Sequence, residues 1–358
     1  VERLGLVGLP NAGKSSLFNA LTGADVPVAR HPFSTTETST GVAKVADRRL
    51  EALAEMSRSR KIVPASFELA DVAGLAPGAS SGEGLGNRFL GALREVDALV
   101  LVVRSFVDDQ VPGDADPLGT LAELELELVM ADVASLEAQL VRRRRAAKAE
   151  RTPPAELRLM EEALAVLEAG TPLWRSELAT SARTDLRGAF LLTAKPVLVV
   201  VNVGEDQLGD TDTLEKAAAE AVGGGAEALA ICVQLEAEAM RLDVSARREL
   251  LEGLGLGEGA LARVSHAAYR LLGRDTFFTT GEKESRAWTF RRGARAPECA
   301  GVIHSDLERG FIRAEVIAWE ELLTFGSWAA AKAAGRIRLE GKDYAVADGD
   351  VLEIRFNV

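Results

Sequence analysis

The chain has 358 residues, 47% of them hydrophobic, with 42 Lys and Arg against 54 Asp and Glu for a net charge of −12. Length and composition are those of a globular protein of two or three domains that builds a full core without staples. The negative balance excludes a protein that coats nucleic acid by bulk attraction, so any RNA contact must come from a local basic patch. Cys232 and Cys299 lack metal-ligand spacing and read as small buried apolar residues of a protein from a reducing compartment. No apolar run reaches the ~18 residues of a membrane span, and a strand comes directly at the N-terminus. The expectation is a cytoplasmic monomer with no membrane partner.

In chain order, an apolar strand at Arg3 to Val7 runs into Gly8-Leu9-Pro10-Asn11-Ala12-Gly13-Lys14-Ser15, which opens a helix over Lys14 to Leu21. Strand, Gly-x-x-x-x-Gly-Lys-Ser and helix together make a phosphate loop. Backbone N–H groups of Asn11, Ala12, Gly13, Lys14, Ser15 and Ser16 are expected to surround the phosphates, reinforced by the helix N-terminus. Lys14 should reach the β- and γ-phosphates and Ser15 should ligate Mg²⁺. A segment that senses the γ-phosphate is expected at His31-Pro32-Phe33-Ser34-Thr35-Thr36, with Thr35 as the second hydroxyl on the metal and Thr36 next in line.

Strands are predicted at Gly41 to Val45 and Ser66 to Ala70. After the second, Asp71 can hold a water of the Mg²⁺ shell, and the Gly74 N–H can meet the γ-phosphate. Leu75 stands where signalling GTPases place a water-orienting glutamine, and it cannot position water by hydrogen bonding. The expected catalytic set is therefore Lys14, Thr35 and Gly74, with Leu75 as a hydrophobic replacement. The glycine-rich stretch to Gly86 reads as a switch loop.

The apolar runs at Asp97 to Val103 and Pro196 to Val201 suit strands buried on both faces of a mostly parallel sheet, hence an α/β fold. Between them Val129, Val133, Leu136 and Leu140 repeat at helical spacing, as do Leu157, Met160, Leu164 and Leu167. Pro153-Pro154 divides these seams into an antiparallel hairpin, an arm inserted in the sheet domain. Arg142-Arg143-Arg144-Arg145 near its tip, with Lys148 and Arg151, is either a solvated face or an RNA contact.

The strand ending at Val201 is followed by Asn202-Val203-Gly204-Glu205, where guanine-specific proteins show Asn-Lys-x-Asp. Glu205 is a methylene longer than Asp and Val203 has no ammonium, so the guanine fork is misplaced. Adenine can instead meet the Asn202 side chain and the Val203 backbone. A further strand is predicted at Ala228 to Val233, and Gly223-Gly224-Gly225 is read as a loop. From Asp275 onward, alternation at Phe311 to Ile317 and Val351 to Phe356 predicts a small α+β domain.

With these elements placed, the sequence resembles the YchF / Obg-like ATPase family. The resemblance rests on Gly8 to Thr22, Gly78 to Asn87, Asn202 to Glu205, Gly281 to Phe290, Gly301 to His304 and Glu308 to Glu315, and it covers nearly the whole chain. Departures are Ala12, Ser16 and Thr38-Ser39, where Val, Thr and Pro-Asn are usual. The resemblance implies a P-loop NTPase G-type domain over 1–120 and 193–274, a coiled-coil arm over 121–192, and a TGS domain of β-grasp type over 275–358. It also implies Mg²⁺-dependent hydrolysis of ATP in preference to GTP and association with ribosomes or ribosomal RNA. The alternative is a GTPase with degenerate base recognition that binds RNA. Arg291 and Arg292, in a cluster with Lys283, Arg286 and Arg295, join the arm arginines as candidate RNA contacts. Trp288 and Phe290 read as the core side of a strand, and His31, His266 and His304 as structural.

Overall fold

The computed structural model describes residues 2–24, 38–72, 85–112, 115–147, 154–254, 256–257 and 259–357. The first elements are β1 (Arg3–Val7), α1 (Lys14–Thr22), β2 (Ser39–Lys44), α2 (Arg48–Ser57), β3 (Ile62–Val63) and β4 (Ser66–Asp71). Next come α3 (Leu85–Glu95), β5 (Ala98–Arg104), the long α4 (Pro117–Ala147), α5 (Pro154–Glu168) and α6 (Ala179–Asp185). They are followed by β6 (Val197–Asn202), α7 (Thr211–Val222), β7 (Glu227–Ile231), α8 (Val233–Ala239), α9 (Val244–Gly253) and α10 (Ala260–Leu271). The last part contains β8 (Arg274–Thr279), β9 (Ser285–Arg291), α11 (Ala296–Ile303), α12 (Ser305–Arg309) and β10 (Phe311–Ala318). It closes with α13 (Trp319–Phe325), α14 (Trp328–Ala333), β11 (Arg338–Glu340) and β12 (Asp350–Phe356).

These elements form two compact units, Val1–Ala43 with Glu68–Leu271, and Lys44–Phe67 with Leu272–Val358. In the first, the sheet order is β2-β4-β1-β5-β6-β7, and β1 runs parallel to β4 and β5, β5 to β6, and β6 to β7. Every residue of β5 and β6 is buried, as strands of continuous apolar sequence in a covered parallel sheet must be. The expected strand through Val233 stops at Ile231, because the Val233 N–H turns to the Asn202 side chain and starts α8.

Helix α4 serves two cores. Leu121, Leu124, Leu128 and Ala131 pack with Leu99, Leu101 and Val103 of the sheet, whereas Val129, Leu136 and Leu140 pack with Met160, Ala163 and Leu167 of α5. The arm thus grows out of the sheet core without a break in the helix. Asp132, fully buried on α4, accepts the Leu192 N–H at 2.9 Å and both the Thr193 N–H and hydroxyl at 2.7 Å. That carboxylate clamps the returning chain where it leaves the arm for β6. Burial pushes its pKa up to about 6 against the pull of these bonds.

The second unit has the strand order β11-β10-β12-β8-β9-β3. One core gathers Phe277, Phe290, Ala314, Val316 and Leu352 against Ala296, Cys299 and Ala300 of α11. Helix α2 packs on β9 and α13, and β3 pairs with β9 in parallel through Ile62–Ser285 and Val63–Arg286. Arg49 of α2 holds Asp47 and, at 2.6 Å, Asp348, while its guanidinium lies 5.1 Å from the Phe278 ring centre. Residues 44–67 therefore belong with the C-terminal segment, a division that the expected boundaries at 120 and 275 do not contain.

Candidate nucleotide-binding site

The phosphate loop is shaped by close backbone approaches. A Cβ on Gly8 would lie 2.4 Å from the Val102 carbonyl oxygen of β5, and one on Gly13 would lie 2.3 Å from Asn202 Nδ2. Asn11 (φ 65°) and Gly13 (φ 94°) both take left-handed backbone, which curls the loop before α1 begins.

Three of the expected residues meet inside this loop. Ser15 Oγ donates to Asp71 Oδ2 at 2.6 Å, bringing the end of β4 to the start of α1. Lys14 Nζ donates to the Leu9 carbonyl at 3.0 Å. Its side chain is buried, and burial lowers its pKa to about 8 although Asp71 draws it back up. Burial raises the Asp71 carboxyl, while the Ser15 hydrogen bond and the Lys14 charge lower it. One hydroxyl and one carboxylate at contact distance make a hard oxygen pair that fits Mg²⁺ sharing its shell with phosphates and water. Among the described residues no group of three or more His, Cys, Asp or Glu could hold a metal alone. Thr35, Thr36, Gly74 and Leu75 lie outside the described residues.

Asn202 is the hub of the site. Its Nδ2 donates to the Ala12 carbonyl at 3.1 Å, its Oδ1 accepts the Val233 N–H at 3.2 Å, and its carbonyl accepts the Ser105 and Phe106 N–H groups. The Val203 N–H is bound to the Ile231 carbonyl at 2.9 Å, and Val203 is buried. The two groups expected to meet adenine thus hold the phosphate loop and the strand ends together. Glu205 is exposed at the start of a 3-10 turn that ends at Asp210.

Sequence reasoning missed Arg104. Buried at the end of β5, it donates to the carbonyls of Phe106, Val111 and Pro112 at 2.9–3.2 Å and stacks on Phe106. Pro112 in turn accepts Asn11 Nδ2 at 3.1 Å, so Arg104 fixes the loop that flanks the phosphate loop. The available signal was a lone arginine ending an all-apolar strand.

The candidate RNA contacts are largely spoken for. Arg143 pairs with Glu156 at 2.9 Å and Arg144 with Glu161 at 2.8 Å, which ties α4 to α5. Arg142 reaches the Ala138 carbonyl, and Arg145 is exposed. In the second unit Arg292 pairs with Asp275, Arg295 with Asp343, and Arg291 more distantly with Glu298. Phe290 is buried and Trp288 packs against Phe277, in line with their reading as core residues.

A mostly parallel sheet, a phosphate loop between β1 and α1, and a Ser–Asp pair at that loop define a P-loop nucleotide-binding protein. Residues 3–148 match the model of the 50S ribosome-binding GTPase family, and residues 275–357 match YchF-GTPase_C, described as a protein of unknown function (DUF933). The chain is 44% identical to the ribosome-binding ATPase YchF of Bacillus subtilis and 45% identical to that of Haemophilus influenzae, covering 99% of either chain in both cases. The solved structure of the Schizosaccharomyces pombe YchF GTPase superposes with a TM-score of 0.82 at 30% identity, covering 99% of this chain and 97% of that one. The chain belongs to the YchF family.

Proposed function

We propose that the protein is a ribosome-associated, Mg²⁺-dependent ATPase that works as a nucleotide-dependent switch in the cytoplasm. Nucleotide hydrolysis is supported by the phosphate loop; ATP rather than GTP is supported by Asn202-Val203-Gly204-Glu205 and by the ATPase name of the bacterial relatives. The observation that carries the base choice is that Val203 is buried and apolar while Glu205 is exposed, leaving no Lys and Asp fork for guanine. The ribosome enters through the same relatives' names.

In this reading the loop amides and Lys14 bind the phosphates, and Ser15, Thr35 and, through water, Asp71 hold the metal. Mg²⁺ supplies charge neutralisation on the phosphate oxygens. The Gly74 amide meets the γ-phosphate. Leu75 offers no hydrogen bond to the attacking water, so turnover is slow until another group orients it. Titration with fluorescent ATP and GTP analogues tests the base: ATP should bind more tightly, and GTP binding tighter by about tenfold or more, ~1.4 kcal/mol, would reverse the assignment. Lys14→Ala should abolish nucleotide binding and leave sedimentation with ribosomes intact.

A further inference from the structure

Arg104 ends β5 beside Asn202, which ends β6, and the two are register partners in the parallel sheet. Both are buried, and both hold the phosphate loop. Asn202 does so directly, through the Ala12 carbonyl at 3.1 Å. Arg104 does so through a relay. Its Nη1 donates to the Val111 and Pro112 carbonyls at 3.1 and 3.2 Å, and the Pro112 carbonyl accepts Asn11 Nδ2 at 3.1 Å.

Closing the loop between Ser105 and Pro112 requires no buried charge. Backbone groups already turn it: the Asn202 carbonyl accepts the Ser105 N–H at 2.8 Å and the Phe106 N–H at 3.2 Å, and the Asp108 carbonyl accepts the Val111 N–H at 3.0 Å. Asp108 Oδ1 also accepts the Gln110 N–H at 2.8 Å. A guanidinium taken out of water is costly even when carbonyls meet its donors. That cost has a counterpart at the far end of the relay. Asn11 stands at φ 65°, a left-handed backbone that a Cβ disfavours and that asparagine tolerates best when its side chain is tied. Successive N–H groups of such a loop converge on an anion only while its left-handed residues keep that conformation. Gly13, at φ 94°, keeps it without steric penalty; Asn11 is held there by the Pro112 carbonyl.

We infer that Arg104 is a positioning residue for nucleotide binding: by fixing the Pro112 carbonyl it keeps Asn11 left-handed and the phosphate loop curled to receive phosphates. The inference rests on the reading of Gly8 to Ser15 as the phosphate site. Loop amides hold the phosphates alike before and during transfer, so the effect falls on KM and not on kcat.

The test is a double-mutant cycle in the full-length protein, read by titration with a fluorescent ATP analogue and by steady-state ATP hydrolysis. Arg104→Lys keeps the buried charge and loses the fork, whereas Arg104→Gln loses both. Each should weaken analogue binding and raise KM by about fivefold to thirtyfold, the equilibrium weight of a left-handed backbone at a residue with a Cβ. In both, kcat should stay within about twofold of wild type. Asn11→Gly retains the amide and removes the strain of the left-handed backbone. In the Asn11→Gly background, either Arg104 substitution should therefore change affinity by less than about twofold. An undiminished effect in that background overturns the inference. Wild-type affinity in Arg104→Lys also overturns it, because charge alone then suffices. So does an Asn11→Gly protein that binds no nucleotide, which would show the side chain itself to be required. Loss of cooperative melting in both Arg104 variants overturns it too and makes the arginine purely structural. These failures leave the phosphate-site reading standing; a wild-type protein that binds neither ATP nor GTP analogue overturns that reading and the inference with it.

Discussion

Lys14 is an ammonium held in a buried loop, and its pKa of about 8 has a direct consequence for binding. Above that pH the free protein holds a neutral amine, whereas bound phosphates favour the cation. Nucleotide binding should therefore take up a proton above pH 8, and affinity should fall by up to about tenfold per pH unit beyond it. Calorimetric titration at pH 8.5 in two buffers of different ionisation enthalpy measures the uptake; a flat affinity from pH 7 to 9.5 with none would contradict it. For stability the sign is opposite. The folded pKa lies below the ordinary lysine value of 10.5, so the folded state binds fewer protons between about 8 and 10.5 and this residue's contribution rises with pH through that window. The phosphate loop was legible in the sequence because its eight residues are contiguous. The roles of Asn202 and Arg104 were not, because their partners are carbonyls and amides from neighbouring strands whose adjacency exists only after the sheet forms.

At the scale of elements, β5 and β6 were readable from unbroken apolar runs, and the α4–α5 pair from helical spacing. What spacing cannot reveal is how the arm is tied to the sheet, a task performed by the buried carboxylate of Asp132. Asp132→Ala leaves the Leu192 and Thr193 amides without acceptors and should cost roughly 2–4 kcal/mol in urea unfolding. Hydrogen exchange should rise first at Leu192 and Thr193. Because burial raises the folded pKa of Asp132 to about 6, above the ordinary aspartate value of 3.8, the folded state holds its proton more tightly. Its contribution thus declines as pH rises from about 4 to about 6, a slope that Asp132→Asn should remove. An unchanged slope in the variant would place the titration on another group.

For the molecule as a whole, helix α2 and strand β3 were not foreseen, and nothing local announces their membership. Leu50, Leu53 and Ala54 give α2 an apolar face, but a face does not name the core it joins. The core is selected by Arg49 meeting Asp348 and by β3 completing the sheet beside β9. A fragment of residues 272–358 lacks both elements and should melt broadly or aggregate, whereas the same fragment fused through a flexible linker to residues 44–67 should melt cooperatively. Circular dichroism of the two fragments decides; a sharp transition in the shorter one would show that α2 is dispensable.

The same excursion has a consequence in time. Ser59 and Gly281 are joined by a hydrogen bond across 222 residues of sequence, and translation at ~5–20 residues per second needs roughly 10–45 s to supply that interval. For most of that time α2 and β3 are already made while the strands that receive them are not. The nascent chain must keep a short amphipathic helix and an edge strand uncommitted, exposed to chaperones, before the C-terminal sheet can close over them.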